Sequence, residues 1–430
     1  MSETTQFQKT PFIRLMLAGI LGLGTSIAPL VLLMFGLIQF KIISIVGPDK
    51  VTEVFGKAAG ISSLAIVVLS PLGGIIADKT NLKFGRRRFW IVIGSIGAVI
   101  SMFVLANAKT MPILIASWII AQFFYGMVSL SCYSVVPEQV EMSKFGRVSG
   151  IFGAAAPAFV MTGGMIMGAF AAVPVPQKLM AIALIQLVCG MISVILLNDG
   201  YREPMKKEDK KEFGGLRNFY PSFKKYPEYT WALLTKLFVN MSNAGLTMLT
   251  LFYIARFHLD EKRIFEIMGL TSISIAIMVV AGILGGFLSD KIRKQKPFVM
   301  GAALITGLCL IAFAFSKNVS WVIAGNFIFN FGFGLYGAVD TALVNRILPS
   351  KENITKDISI MNITTNISSS LTNFIAPMMI AFGVKLMGDD GYTFSFLCLA
   401  GFSILSALAV IPIPEMSVEK ESNDVAIEQV

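Results

Sequence analysis

The stretch Ser70–Trp90 reads SPLGGIIADKTNLKFGRRRFW. An apolar run passes through Leu72-Gly73-Gly74-Ile75-Ile76-Ala77, meets Asp78-Lys79-Thr80, crosses a short basic loop ending in Arg86-Arg87-Arg88, and gives way at once to a second apolar run. Read as a helix, the first run puts Asp78 at its own C-terminal end, where the macrodipole disfavours a carboxylate. Asp78 therefore calls for a partner elsewhere, a guanidinium or the N-terminus of another helix. The second half of the chain carries a counterpart, Leu284-Gly285-Gly286-Phe287-Leu288-Ser289-Asp290-Lys291, at an offset of 212 residues.

Two more landmarks keep that offset to within one residue. Val136-Pro137 answers Leu348-Pro349 at 212, and Phe124-Tyr125-Gly126 answers Leu335-Tyr336-Gly337 at 211. Three landmarks in one register mark an internal duplication.

Working outward, the 430-residue chain is 55% hydrophobic and 14% charged, against roughly 25% charged in a soluble domain. The excess falls in runs long enough to cross a bilayer as helices. Twelve are expected, over about 13–40, 51–77, 88–107, 111–135, 147–173, 177–197, 231–256, 263–289, 297–316, 320–344, 357–386 and 391–413. The fold expected is all-α: a polytopic membrane protein of twelve transmembrane helices in two pseudo-symmetric six-helix bundles. Residues 1–197 form the first bundle and 198–230 a charged cytoplasmic linker. Residues 231–414 form the second bundle and 415–430 an acidic tail.

With the N-terminus inside, the inner segments hold 26 of the 36 Lys and Arg residues, which places both termini in the cytoplasm of a cell-membrane protein. The same bias accounts for the net charge of +10, so no nucleic-acid partner is implied. The first run is too long for a cleaved signal peptide and serves as the insertion signal. Cys132, Cys189, Cys309 and Cys398 all sit in apolar runs without metal-ligand spacing. The one histidine, His258, closes a helix at its outer end, and there is no phosphate loop or dinucleotide fingerprint. An enzyme, a metal site and a cofactor are not expected.

Acids inside spans are few, and each is costly to bury. Glu53 and Glu266 lie near helix starts, close to water. Asp340 lies deeper, inside the tenth span. It reads either as a protonatable coupling residue or as half of a structural ion pair with Arg346 or Lys356. Uncharged polarity is more plentiful: Thr25 and Ser26, Gln122, Asn243, Asn330, and Asn366, Ser369, Ser370 and Asn373, with Tyr125 and Tyr336 nearby. Gln122, Tyr125, Asn243, Asn330, Tyr336 and Asn366 are the substrate-binding candidates, a set suited to a neutral polyhydroxylated ligand. The competing reading is that such groups tie helices together. Glycine pairs such as Gly164 and Gly168 mark close helix approaches.

The paired Leu-Gly-Gly…Asp-Lys motifs resemble the signature of the major facilitator superfamily. Asp78-Lys79-Thr80 with Phe84-Gly85-Arg86-Arg87-Arg88 is similar to the glycoside-pentoside-hexuronide:cation symporter family, in its sucrose-transporter-like branch. Val136-Pro137-Glu138, Gly146-Arg147, Asp340-Thr341-Ala342-Leu343 and Lys356-Asp357 read the same way. The resemblance implies a secondary transporter that binds its substrate between two bundles and works by alternating access. It departs at one point. Sodium-coupled members carry carboxylates inside helices two and four, and here 58–77 and 112–135 contain no Asp or Glu. A sodium site is not implied, and a proton-coupled or an uncoupled mechanism is expected instead, with protons as the coupling ion of the leading reading.

The expected function is uptake of a neutral sugar or glycoside by a chain working as a monomer among membrane lipids. A multidrug or metabolite exporter, and more remotely a non-transporting receptor or scaffold, are the alternatives. Pseudo-symmetry suggests two gating latches. Asp78 would face the start of helix eleven at Lys356, and Asp290 the start of helix five at Arg147, with Arg86, Arg87 and Arg88 completing the gate.

Overall fold

The computed structural model describes residues 9–80, 82–140, 144–200, 227–292, 294–346 and 354–413. The expected tail, 415–430, and most of the expected linker lie outside the described residues. All regular structure in them is helical. The helices are α1 (Phe12–Leu32), α2 (Ile38–Val46), α3 (Val51–Lys79), α4 (Arg86–Ala106), α5 (Met111–Gln139), α6 (Phe145–Ala169), α7 (Val175–Leu196) and α8 (Pro227–Ala244). They continue as α9 (Leu249–Phe257), α10 (Glu261–Thr271), α11 (Ser274–Ile292), α12 (Lys296–Ala314), α13 (Val319–Arg346), α14 (Ile354–Met387) and α15 (Tyr392–Ala409).

Three expected spans are each made of two helices in series: α1 with α2, α8 with α9, and α10 with α11. Counted this way, twelve helical segments are long and apolar enough to cross a membrane. Their bounds fall within a few residues of the hydropathy runs in most cases. The first span continues past its expected end at about 40 to Val46, about one and a half further turns.

Large apolar side chains cover the outside of the spans. Phe287 and Trp321 are 70% and 74% exposed. In water such a surface would be a liability, whereas in lipid it meets a solvent as apolar as itself. Helices in that solvent associate through close packing and polar ties rather than through hydrophobic exclusion.

Packing divides the chain into two compact units. The first comprises Met1–Glu212, Thr247–Ala276 and Asn373–Met378. Within it α4 packs on α5 and α7, and α1 packs on α5, α6 and α7. Leu15, Leu23, Ile91, Val128, Cys132, Val148 and Phe152 fill its core. Ser193 Oγ ties α7 to α1 by donating to the Ala18 carbonyl at 2.9 Å, and Gln186 Nε2 donates to Ser95 Oγ at 2.9 Å between α7 and α4.

At α6 and α10, also in this unit, Gly168 and Gly269 bring the two backbones together. A Cβ on Gly168 would sit 2.6 Å from the Gly269 Cα. Gly164 is part of the same approach, with Ser272 filling the space its Cβ would take. The small-residue spacing read from the sequence thus marks a real helix crossing.

The second unit comprises Phe213–Leu246, Ile277–Thr372 and Met379–Val430. Here α12 packs on α13 and α15, and α8 packs on α13 and α15. At the 212 offset these are the counterparts of α4 on α5 and α7, and of α1 on α5 and α7. Ser406 Oγ donates to the Thr235 carbonyl at 2.9 Å, and Thr306 and Ser403 share a 2.7 Å hydroxyl pair. Tyr229, Val299, Tyr336, Val339 and Val410 pack its core. The duplication seen in the sequence therefore recurs in helix pairing.

Candidate functional site

The Ser70–Trp90 stretch folds as read. α3 ends at Lys79, and Thr80 turns the chain: its hydroxyl donates back to the Ile76 carbonyl at 2.8 Å and accepts from Trp90 Nε1 at 3.0 Å. Gly85 then adopts φ +99, and α4 begins at Arg86. The carboxylate of Asp199, just past α7, occupies the space a Cβ on residue 85 would need. From there it accepts from the backbone N–H groups of Arg87 at 2.7 Å and Arg88 at 3.3 Å. An anion on the free N–H groups of a helix start satisfies both their hydrogen bonding and the dipole.

Each of the three arginines is also held by its side chain, inside the first unit. Arg86 pairs with Glu138 Oε1 in the last turn of α5, and Arg87 reaches the same oxygen with Nη2 at 2.6 Å and Nε at 3.1 Å. Arg87 is 5% exposed. Arg88 donates from Nε to the Val194 carbonyl at 3.1 Å, and its guanidinium lies 4.6 Å from the Phe84 ring centroid. The GRRR loop is thus stapled to the ends of α5 and α7. Sequence reasoning singled out neither Glu138 nor Asp199 as a site residue. Their signal was a lone acid directly after a long apolar run, in each case facing a basic loop.

Asp78 lies in the last turn of α3, Asp290 near the end of α11, Arg147 in the first turn of α6 and Lys356 in the first turn of α14. The side chains of all four lie outside the described residues, so neither expected latch can be drawn.

Asp340 is on α13, about 9 Å along the axis from its C-terminal residue Arg346. It is 5% exposed. The side chains of the expected partners, Arg346 and Lys356, lie outside the described residues; the partner described is Lys236 of α8, whose Nζ lies 3.2 Å from Asp340 Oδ2. Tyr336, one turn earlier on α13, donates its hydroxyl to Asp340 Oδ1 at 2.8 Å. Both carboxylate oxygens are therefore bonded, one to a cation and one to a phenol. Lys236 was legible only as one more inner basic residue. The sharper signal is its position inside the apolar span that begins at about 231, where a lysine is expensive unless paired.

The substrate-binding candidates divide between the units. In the first, Gln122 and Tyr125 stand one turn apart on α5. Gln122 Nε2 and Tyr125 Oη are both buried, and neither has a hydrogen-bond partner among the described residues. In the second, Asn330 turns back on its own helix, donating to the Asn326 carbonyl at 3.0 Å. Tyr336 is committed to Asp340, Asn243 is half-buried on α8, and Asn366 is exposed on α14. Other polar groups act as ties. Ser242 donates to the Leu399 carbonyl at 3.1 Å and Thr372 to that of Met241 at 3.2 Å.

Glu53, Glu266 and His258 all lie near span ends. Glu53 pairs with Lys57 at 2.5 Å and Glu266 with Arg263 at 2.8 Å, each one turn away on an exposed face. His258 closes α9 in the left-handed conformation, with φ 51.

Comparison with known proteins places this arrangement. The sequence profile of the Major Facilitator Superfamily matches residues 16–372. The multidrug resistance efflux pump PmrA of Streptococcus pneumoniae is 25% identical over 370 residues, covering 84% of this chain and 86% of the pump. Among solved structures, the nucleoside transporter NupG superposes with a TM-score of 0.73 at 13% identity, covering 93% of this chain and 99% of that one. A D-xylose–proton symporter superposes with a TM-score of 0.67 at 13% identity, covering 94% and 97%. Residues 16–372 hold both copies of the duplicated motif and the Lys236–Asp340 pair, and by that match the chain belongs to the major facilitator superfamily: a transporter, not an enzyme.

Proposed function

We propose that this chain is a secondary active transporter of the cell membrane, with both termini cytoplasmic, that moves a small neutral solute by alternating access and couples the movement to protons. The observation that carries the reading is the Lys236–Asp340–Tyr336 cluster. A carboxylate held inside a span by a cation and a phenol can take up a proton and release the lysine, and intramembrane ionisable groups of this kind mark proton relays. The solute class follows from the other polar groups. Gln122 and Tyr125 offer uncharged donors without partners among the described residues, which suits hydroxyl oxygens and gives a bare ion no counter-charge. A sugar or glycoside fits that chemistry. The gating roles of Asp78, Asp290, Arg147 and Lys356 belong to the same proposal.

Export of apolar drugs or metabolites is the second reading, and the similarity to PmrA over most of both chains favours it. Proteoliposomes separate the two. Labelled sugar should accumulate when an inward proton gradient is imposed and only equilibrate without one. Asp340→Asn should lose gradient-driven accumulation by tenfold or more while keeping solute exchange. Extrusion of a cationic dye with no sugar movement would overturn the uptake reading. Accumulation by Asp340→Asn equal to the parent would remove Asp340 from coupling. Asp78→Asn, delivered to the membrane, should transport more slowly than the parent in the same assay.

A further inference from the structure

The first span is not one helix. Between α1 and α2 the segment Leu33–Leu37 leaves helical geometry, with Phe35 at φ −93, ψ 22 and Gly36 at φ 151, ψ −45. Only glycine tolerates that φ, and a Cβ there would also meet Met268 Sδ at 2.9 Å. The seventh span breaks as well, through a 3₁₀ turn over Gly245–Met248 between α8 and α9. The two breaks begin at 33 and 245, and the difference is the 212 residues that relate the repeats. Matching interruptions in the two halves of a transporter point to a functional position.

A broken helix frees backbone carbonyls, and inside a membrane these must be satisfied. Here one side chain serves both breaks. Gln39 Nε2, on α2, donates to the Met34 carbonyl of the first break at 2.6 Å and to the Thr247 carbonyl of the second at 3.0 Å. Thr250 Oγ1 donates to the Phe35 carbonyl at 3.2 Å, and Thr247 Oγ1 to Asn373 Oδ1 at 3.3 Å. All of these residues belong to the first compact unit.

Gln39 is fully buried, and both hydrogens of its amide are spent on carbonyls. Glutamate would present no donor, and asparagine would be one methylene short. The node is not fully satisfied, however. Gln39 Oε1 and Asn373 Nδ2 are buried without a hydrogen-bond partner among the described residues, a cost that opening to water would relieve. The contact is therefore both specific and poised to release.

We propose that Gln39 is a positioning residue of the transport cycle, clasping the two matching helix breaks so that they open and close as one. The proposal rests on the transporter reading for its purpose, but its test needs no solute. Amide hydrogen exchange is followed in lipid nanodiscs over Leu33–Ile38 and Gly245–Thr250. In the parent chain the two segments should exchange together, with equal protection at each step of added denaturant. Gln39→Met, which keeps the bulk and loses the donors, should speed exchange in both segments by about tenfold. Thr250→Val, which removes the bond to Phe35 and leaves the clasp in place, should speed exchange in both segments together, and a change in Leu33–Ile38 alone would overturn the clasp.

Independent exchange of the two segments in the parent overturns the clasp, even if Gln39→Met fails to assemble. Unchanged exchange of Gly245–Thr250 in an assembled Gln39→Met chain overturns it too. Either outcome leaves the transport reading standing, and a failure of solute transport would leave the exchange result standing.

Discussion

Asp340 and Lys236 show what one buried pair does to the residues around it. The pair is nearly closed to solvent, so its worth depends on what remains when a partner is lost. Removing one charge leaves the other buried and unpaired, which costs about 3 kcal/mol, while replacing both with apolar groups of similar size is often neutral. Lys236→Met alone and Asp340→Leu alone should therefore lower the melting temperature of the detergent-solubilised chain by several degrees, and the double variant should recover most of the loss. Equal or additive losses would show that the two charges are not coupled. That Asp340 mattered was readable in the sequence, because an acid inside an apolar run stands out. Its partner was not, because Lys236 is 104 positions away and only the packing of α8 on α13 brings them together.

At the scale of the element, α4 is the clearest case of a helix whose start is fixed from outside. Its first residues are arginines, so the dipole and three cations oppose each other until Asp199 caps the N–H groups and Glu138 pairs with Arg86 and Arg87. Asp199→Ala should cost about 1 kcal/mol, read as a lower melting temperature with the same α-helical circular dichroism. Asp199→Asn should recover part of it, since the amide oxygen still accepts while the charge is gone. The helices themselves were readable because each span is a long apolar run bounded by polar residues. The break at Leu33–Leu37 was not. Its sequence, LMFGL, is apolar throughout, so hydropathy passes over it, and the one glycine among many gave no sign of its φ. Gln39 was missed for the same reason, as a single amide in a span whose carbonyls were assumed to be satisfied by their own helix.

For the whole molecule, the duplication is the organising fact, and it survives at three levels: motif spacing, helix pairing and the location of the two breaks. The repeat was visible before any coordinates because the landmarks kept one offset. The unequal use of the two copies was not. The positions matching Lys236 and Asp340 at the 212 offset are Gly24 and Val128, so the sequence of the first half carries no copy of that pair. One half thus carries the ionisable cluster and the other the unpartnered uncharged donors. The orientation proposed from Lys and Arg is tested with fusions to the C-terminus. A green fluorescent protein placed there should fluoresce and an alkaline phosphatase should be inactive, and the reverse pair of results would invert the topology.

The bare backbone meeting of Gly168 and Gly269 has a practical consequence. Where two helices touch without side chains, a single methyl group becomes a doorstop. Gly168→Ala cannot be absorbed by turning a rotamer, because the obstacle on the other side is main chain. The variant should hold α6 and α10 apart wherever the cycle requires them to meet, populating the complementary state without any inhibitor bound. A chain arrested in this way would be a handle for raising conformation-selective antibodies or for capturing a second structure of the protein.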